Sequence, residues 1–320
     1  MKRAFTIAAI GVLTGSMAFA QATVTTSCST AGTDNPFLGI QTIRLWAGDA
    51  PQAKGNGCDD TPTMTVFSPR SGSENGSAVV IMPGGSYMRL AGDLEGRDIA
   101  SWFTARGFKA FVLAYRLSSH GYILPVPLLD ARRAIQTVRA RATEFHIAPD
   151  RVVAIGFSAG GHLAALAGTQ FVAGDPSAPD PVERVSSRPD YLVLGYPWLG
   201  AISLDTSHLN YCKLYNLMEQ CAALDAAHSP VRFVSKQMPP TFIYHTYTDQ
   251  TVPVEQSIAF FEALNKAGVP AEFHVFADGK HGSGWGKGDA ALDQWADLLE
   301  AWLRSHGLFT VNATAIGNKP

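Results

Sequence analysis

The chain has 320 residues, 46% of them hydrophobic and 16% charged, with a formal net charge of −2 at pH 7. A balance so close to zero gives no electrostatic footing for binding nucleic acid or an anionic membrane surface. Once a leader is removed, roughly 300 residues remain, which suits one large α/β domain or two small ones.

The N-terminus reads as an export signal and not as part of a fold. Lys2 and Arg3 form a charged start, residues 4–17 are largely apolar, and Ala18-Phe19-Ala20 places small residues at the −3 and −1 positions. Residues 1–20 are therefore expected to be a signal peptide cleaved before Gln21, leaving a secreted or periplasmic chain with no membrane insertion. The apolar run is too short to span a bilayer. The four cysteines, Cys28, Cys58, Cys212 and Cys221, then stand in a disulfide-permissive compartment, where three pairings are open. Cys28–Cys58, tying down the N-terminal segment, and Cys212–Cys221, closing a local loop, are favoured. No C-x-x-C pair or histidine cluster points to zinc.

Residues 40–46 and 63–67 alternate as edge strands do. Residues 78–82 are an unbroken apolar run, as in strands buried on both faces of a parallel sheet. Strands and helices then alternate: helix at 93–106 ended by Gly107, strand at 108–115, helix at 127–145, and strand at 152–155. Further strands follow at 191–196, 241–246 and 272–276, with helices at 254–267 and 290–303. This order predicts a mostly parallel sheet with helices on both faces, in one domain over residues 21–320. The arginines 132, 133, 139 and 141 fall on one helix and read as its solvated face. Residues 201–231 interrupt the rhythm after the sixth strand, either as a small cap over the site or as a surface excursion.

Gly156-Phe157-Ser158-Ala159-Gly160 lies between an apolar strand and a helical stretch. This is G-x-S-x-G in strand–turn–helix context, which puts a serine at the apex of a strained turn and a helix N-terminus behind it. A serine hydroxyl needs a base, and the base needs an orienting carboxylate. Asp249 follows the strand ending at Thr246, and His281 follows the strand ending at Phe276, both at C-terminal strand ends where ligands bind in open α/β sheets. His162 reads as packed or bonded within its helix, His245 and His274 as core or sheet-face residues. Asp278 is too close in sequence to His281 to approach from its own loop. Donors for an oxyanion are expected from Ala159 N–H and from the loop Pro83-Gly84-Gly85-Ser86-Tyr87, with Gly85 first and Ser86 beside it.

The ordered set Pro83-Gly84-Gly85-Ser86-Tyr87, Leu94-Glu95-Gly96, Tyr115-Arg116-Leu117, Asp130-Ala131-Arg132-Arg133, Gly156 to Leu163, Pro239-Pro240-Thr241-Phe242, Asp249-x-x-Val252-Pro253 and His281-Gly282 resembles the α/β-hydrolases of the acetyl esterase and acetylxylan esterase type. Leu45-Trp46-x-Gly48-x-Ala50-Pro51 resembles their opening. The resemblance implies the α/β-hydrolase fold and carries Ser158, Asp249 and His281 over as the triad, with Gly85, Ser86 and Ala159 as the oxyanion hole. It implies hydrolysis of an ester on an acylated oligo- or polysaccharide, with no metal or organic cofactor. Ser86 stands where many relatives have a third glycine. Tyr87, Trp198 and Trp285, on loops at the same sheet edge, are candidates for stacking on sugar rings, with ordinary packing an equal reading for each. A feruloyl esterase, or an exported peptidase of the same fold, is the competing reading. A peptidase needs paired glutamates for the substrate amine, and Glu95 and Glu219 stand apart. A non-catalytic binding module is disfavoured because the base histidine is present.

Overall fold

The computed structural model describes residues 41–199 and 211–310, so the expected signal peptide, Cys28 and residues 201–210 of the interrupting stretch lie outside the described residues. Eight strands form one sheet: β1 (Gln41–Arg44), β2 (Thr63–Phe67), β3 (Ala78–Met82), β4 (Lys109–Ala114), β5 (Val152–Phe157), β6 (Tyr191–Gly195), β7 (Thr241–Thr246) and β8 (Ala271–Phe276). Their spatial order is β1-β2-β4-β3-β5-β6-β7-β8. β2 pairs antiparallel with β1 and β4, and all later neighbours are parallel. The helices are α1 (Asp98–Thr104), α2 (Val126–Ala140), α3 (Ala142–Phe145), α4 (Ser158–Thr169), α5 (Tyr211–Leu214), α6 (Cys221–His228), α7 (Glu255–Ala267) and α8 (Gln294–Ser305). This is the mostly parallel sheet that the sequence pattern predicts, in the α/β-hydrolase arrangement that the resemblance implies.

Apolar runs in the central strands make the sheet a two-sided core. Every residue of β3 and β5 is buried, and strand alternation sends successive side chains to opposite faces. Val79, Ile81, Val153 and Ile155 pack with Phe103 of α1 and Trp295 and Leu299 of α8. Val80, Met82 and Ala154 pack with Leu128 and Ile135 of α2, Leu163 of α4 and Phe260 of α7. In α8 the buried residues Trp295, Leu299, Trp302 and Leu303 follow the helical repeat. Burying each large apolar side chain of this kind contributes about 1.5–3 kcal/mol.

Local structure departs from the sequence pattern in several places. The helix expected over 127–145 breaks at Arg141 into α2 and α3. The helix expected from residue 93 opens as a six-residue π-helical turn, Gly92–Arg97, before α1. Within the arginine cluster, Arg141 pairs with Glu144 at the surface, but Arg133 and Arg139 are not on a solvated face. Arg133 is buried, donates to Leu45 O and pairs with Asp180, while Arg139 donates to Pro149 O and Ser186 O and pairs with Asp190. A guanidinium fork can satisfy several carbonyls at once, and here it fastens neighbouring loops to α2. The Cys212–Cys221 disulfide is present and joins α5 to the start of α6. Cys58 is also disulfide-bonded; its expected partner lies outside the described residues. Among the described residues, no helix is long and apolar enough to cross a membrane.

Candidate active site

β5 runs directly into α4, and Ser158 at the join has φ 51°, in the left-handed region that non-glycine residues rarely occupy. Close approach by the neighbouring backbone makes the flanking glycines necessary. A Cβ on Gly156 would lie 2.1 Å from Gly160 O, and one on Gly160 would lie 2.0 Å from Met82 O. The turn is thus pressed backbone to backbone against the end of β3.

Ser158, His281 and Asp249 form one hydrogen-bonded line. His281 Nε2 lies 2.8 Å from Ser158 Oγ, and His281 Nδ1 lies 2.6 Å from Asp249 Oδ2. A carboxylate beside Nδ1 fixes the tautomer: Nδ1–H donates to Asp249, and Nε2 accepts the serine hydroxyl. Asp249 Oδ1 accepts the N–H groups of Thr251 (2.8 Å) and Val252 (2.9 Å) from its own loop. Burial alone would raise the Asp249 pKa, but hydrogen bonds from His245, His281 and the Val252 N–H hold it well below the usual carboxylate range. The carboxylate therefore stays charged beside the imidazole.

The loop of residues 83–87 follows β3 and faces the serine turn. Gly85, Ser86 and Tyr87 have φ of 127°, 60° and 58°. Its carbonyls are all engaged. Pro83 O accepts Tyr115 O–H (2.7 Å), Gly84 O accepts Ala91 N–H (2.9 Å), and Gly85 O accepts Met88 N–H (3.0 Å). Ser86 O accepts Tyr215 O–H (2.6 Å), and Tyr87 O accepts Ser118 N–H (3.0 Å). Because a peptide unit is planar and trans, fixing a C=O also fixes the next N–H, which points the opposite way. The Gly84 and Gly85 carbonyls thus orient the N–H groups of Gly85 and Ser86. Among the described residues, these two N–H groups and that of Ala159 have no assigned protein acceptor. Gly85, Ser86, Ser158 and His281 line one cavity of about 520 Å³, which the turn carrying Leu94 and Glu95 also lines.

The aromatic residues expected to meet sugar do not line this cavity. Tyr87 is fully buried, edge-on to Tyr115, Tyr211 and His162, with its O–H on His162 Nδ1 (2.9 Å). Trp198 is 3% exposed and packs over His162. Trp285 stacks on Trp295 at 4.4 Å and donates its N–H to Asp98 O. Large rings gain most from burial when a polar tip also finds a partner, as it does for Tyr87 and Trp285. His162 is likewise bonded outside its own helix: Nδ1 accepts from Tyr87, and Nε2–H donates to His228 O (2.9 Å). Burial pushes its pKa down to about 3, so it is neutral.

Other side chains have roles at the site that the sequence reading did not assign. His245, buried beneath the line, directs Nε2–H at Val252 O (2.9 Å) and at Asp249 Oδ2 (3.3 Å), while Ser257 holds its Nδ1. The spacing His245-x-x-x-Asp249 around a strand end was the available signal. Glu95 accepts hydrogen bonds from Gly84 N–H and Tyr196 O–H. Tyr215 reaches Ser86 from the disulfide-closed insertion, whose described part thereby docks on the 83–87 loop.

Fold and site together have the build of an α/β-hydrolase, and comparison with known proteins agrees. Residues 64–175 match the BD-FAE family model, and residues 201–307 match the prolyl oligopeptidase family model. The chain is 31% identical over 259 residues to an acetylxylan esterase of Xylanibacter ruminicola, covering 77% of this chain and 49% of that protein. It spans about half the length or less of the first such curated relatives. Among solved structures, an acetyl ester-xyloside bifunctional hydrolase from Caldicellulosiruptor lactoaceticus is 36% identical with a TM-score of 0.74, over 84% of this chain and 97% of that one. A thermophilic esterase from Thermogutta terrifontis with propionate bound is 28% identical with a TM-score of 0.68, over 84% and 95%. The chain belongs to the α/β-hydrolases, and within them to the acetyl esterase and acetylxylan esterase-like family.

Proposed function

We propose that this chain is a serine carboxylic ester hydrolase that removes acetyl groups from xylan or related plant oligosaccharides through an acyl-serine intermediate. The unbroken Ser158–His281–Asp249 line opening on a cavity lined by Gly85 and Ser86 is the observation that carries the reading. Ser158 Oγ attacks the ester carbonyl while His281 Nε2 takes its proton. Asp249 keeps the imidazole oriented and stabilises its charged form. The N–H groups of Gly85, Ser86 and Ala159 receive the developing oxyanion, where one well-placed donor is typically worth about 10²–10³ in rate. His281 then returns the proton to the leaving alcohol, and water, activated by the same imidazole, hydrolyses the acyl-serine.

Acetyl as the acyl group and xylan as the alcohol side draw support from the names of the Xylanibacter and Caldicellulosiruptor relatives. Export after cleavage before Gln21, on the pattern of the N-terminal sequence, and one domain over residues 21–320, on the alternation of strands and helices, complete the proposal. The prolyl oligopeptidase match favours a peptidase as the second reading. Against it, the Glu95 carboxyl is already bonded to Gly84 and Tyr196 and is not free to hold a substrate amine. The test is a substrate panel on the purified protein: acetate release from acetylated xylan, ferulate release from feruloylated arabinoxylan, and cleavage of an aminoacyl anilide. Acetate release is expected to dominate; a clear preference for ferulate or the anilide would overturn the acetyl assignment.

A further inference from the structure

Glu95 is a buried carboxyl, 3% exposed, that the Ser158–His281–Asp249 line does not use. It makes no salt bridge among the described residues, and an ionisable group buried without a counter-charge is costly unless hydrogen bonds compensate. Two do. Oε2 accepts Gly84 N–H at 2.7 Å, and Oε1 accepts Tyr196 O–H at 2.7 Å. The Tyr196 oxygen in turn accepts Gly284 N–H at 3.0 Å, three residues beyond His281, and the Tyr196 ring meets the His281 ring edge-on at 5.0 Å. Burial raises the Glu95 pKa, while the bonds from Tyr196 and Gly84 lower it.

We propose that Glu95 is a positioning residue for the reaction at Ser158, its carboxyl tying the oxyanion loop at Gly84 to Tyr196 and, through Tyr196, to the loop carrying His281. The inference rests on the serine-esterase reading above and deepens it. The turn that carries Glu95 grips Gly84 at both of its polar atoms, since Ala91 N–H donates to Gly84 O and Glu95 N–H donates to Ala91 O. Gly84 also has no room to shift. A Cβ there would lie 2.7 Å from Glu95 Oε2, 2.6 Å from Phe157 O and 3.0 Å from Ser158 Cβ. The loop residue is wedged between the carboxyl and the nucleophile's own turn. Apolar packing could fill the same space, but only directional bonds fix the two peptides that flank Gly84: the Glu95 carboxyl holds the N–H of the Pro83–Gly84 peptide, Ala91 N–H holds the C=O of the Gly84–Gly85 peptide, and together they set the aim of Gly85 N–H.

Donor aim acts on the transition state more than on bound substrate, so the effect of losing Glu95 belongs in kcat. The experiment compares full-chain Glu95→Ala, Glu95→Gln, Tyr196→Phe and Ser158→Ala with the wild type on an aryl acetate. Thermal melts and binding of an aryl trifluoromethyl ketone, which forms a tetrahedral adduct on serine, are measured in parallel. Glu95→Ala is expected to lower kcat by roughly 10–100-fold and to weaken the ketone in proportion, with KM changed by no more than about twofold. In Glu95→Gln the amide oxygen can still take Gly84 N–H and the NH₂ can donate to Tyr196, so kcat should recover to within about threefold of wild type. A folded Glu95→Ala that keeps kcat and ketone affinity, or a loss that Gln does not rescue, overturns the proposal. Should Glu95→Ala not fold, Tyr196→Phe reads the same tie from its other end: a fall of about fivefold in kcat supports it and unchanged kcat overturns it. Persistent hydrolysis by Ser158→Ala would instead bring down the parent reading and the proposal with it; an inactive Ser158→Ala beside an unaffected Glu95→Ala removes the proposal alone.

Discussion

The two sides of Ser158 are built in different ways. On the base side, Asp249 and His281 come from loops after β7 and β8, and Asp249 is held by N–H groups of its own loop and by His245 from the preceding strand. On the oxyanion side, the 83–87 loop is held from several other segments: Tyr115 after β4, Ala91 just before the π-helical turn, Glu95 within that turn and backed by Tyr196 after β6, and Tyr215 from the insertion. The difference follows from what each side must aim. A side chain can be aimed by a strand end and one neighbour. A backbone N–H can be aimed only by fixing the carbonyl across its own peptide, and those carbonyls point away from the site toward other parts of the fold.

Substitutions on the two sides should therefore differ in size and kind. Steady-state hydrolysis of an aryl acetate by His281→Ala is expected to show a loss in kcat on the order of 10⁶, and Asp249→Asn a loss of about 10⁴, values that single-residue deletions of such a line commonly give. Losses under about tenfold for either would contradict the base-side geometry. Gly84→Ala, which must push against Phe157 O and the Glu95 carboxyl, should cost about 10² in kcat with little change in KM. Tyr215→Phe removes one bond to a loop carbonyl and should lower kcat by about three- to tenfold while barely moving the melting temperature. If Tyr215→Phe equals Gly84→Ala in effect, the insertion matters more to the loop than the bond pattern implies.

The smallest effect concerns pH. The folded-state pKa of Glu95 is raised, so its contribution to stability is fully present below the ordinary glutamate value of about 4.3 and is lost as pH rises through the folded value. Glutamine does not titrate. The melting temperature of Glu95→Gln relative to wild type should thus increase from acid to neutral pH, read by paired thermal melts. A difference that is flat or shrinks with rising pH would contradict the burial argument.

Much of the base side was legible in the sequence because its elements are periodic and its residues sit at strand ends. The strand runs of β5, β7 and β8 place Ser158, Asp249 and His281 along one edge of the sheet with no tertiary knowledge. The oxyanion loop was legible as a glycine turn after β3, but not what holds it. Tyr215 lies well over a hundred residues from Ser86, and nothing local marks a hydroxyl that will meet a distant carbonyl (separation 129). For Tyr87, Trp198 and Trp285 the sequence leaves stacking on sugar and ordinary packing both open. Tyr87 and Trp285 find both apolar neighbours and a polar partner inside, and burial wins. The α2 arginines fail for a related reason, since a charged pattern on a helix cannot reveal loop carbonyls that fold back onto it.

The most direct measurement is rapid-quench mass mapping after mixing the protein with an aryl acetate. The account predicts a transient acetyl group on the peptide containing Ser158, and neither acetylation nor hydrolysis in Ser158→Ala. Hydrolysis at wild-type rate by Ser158→Ala, or an acetyl group that maps elsewhere while turnover proceeds, would contradict it.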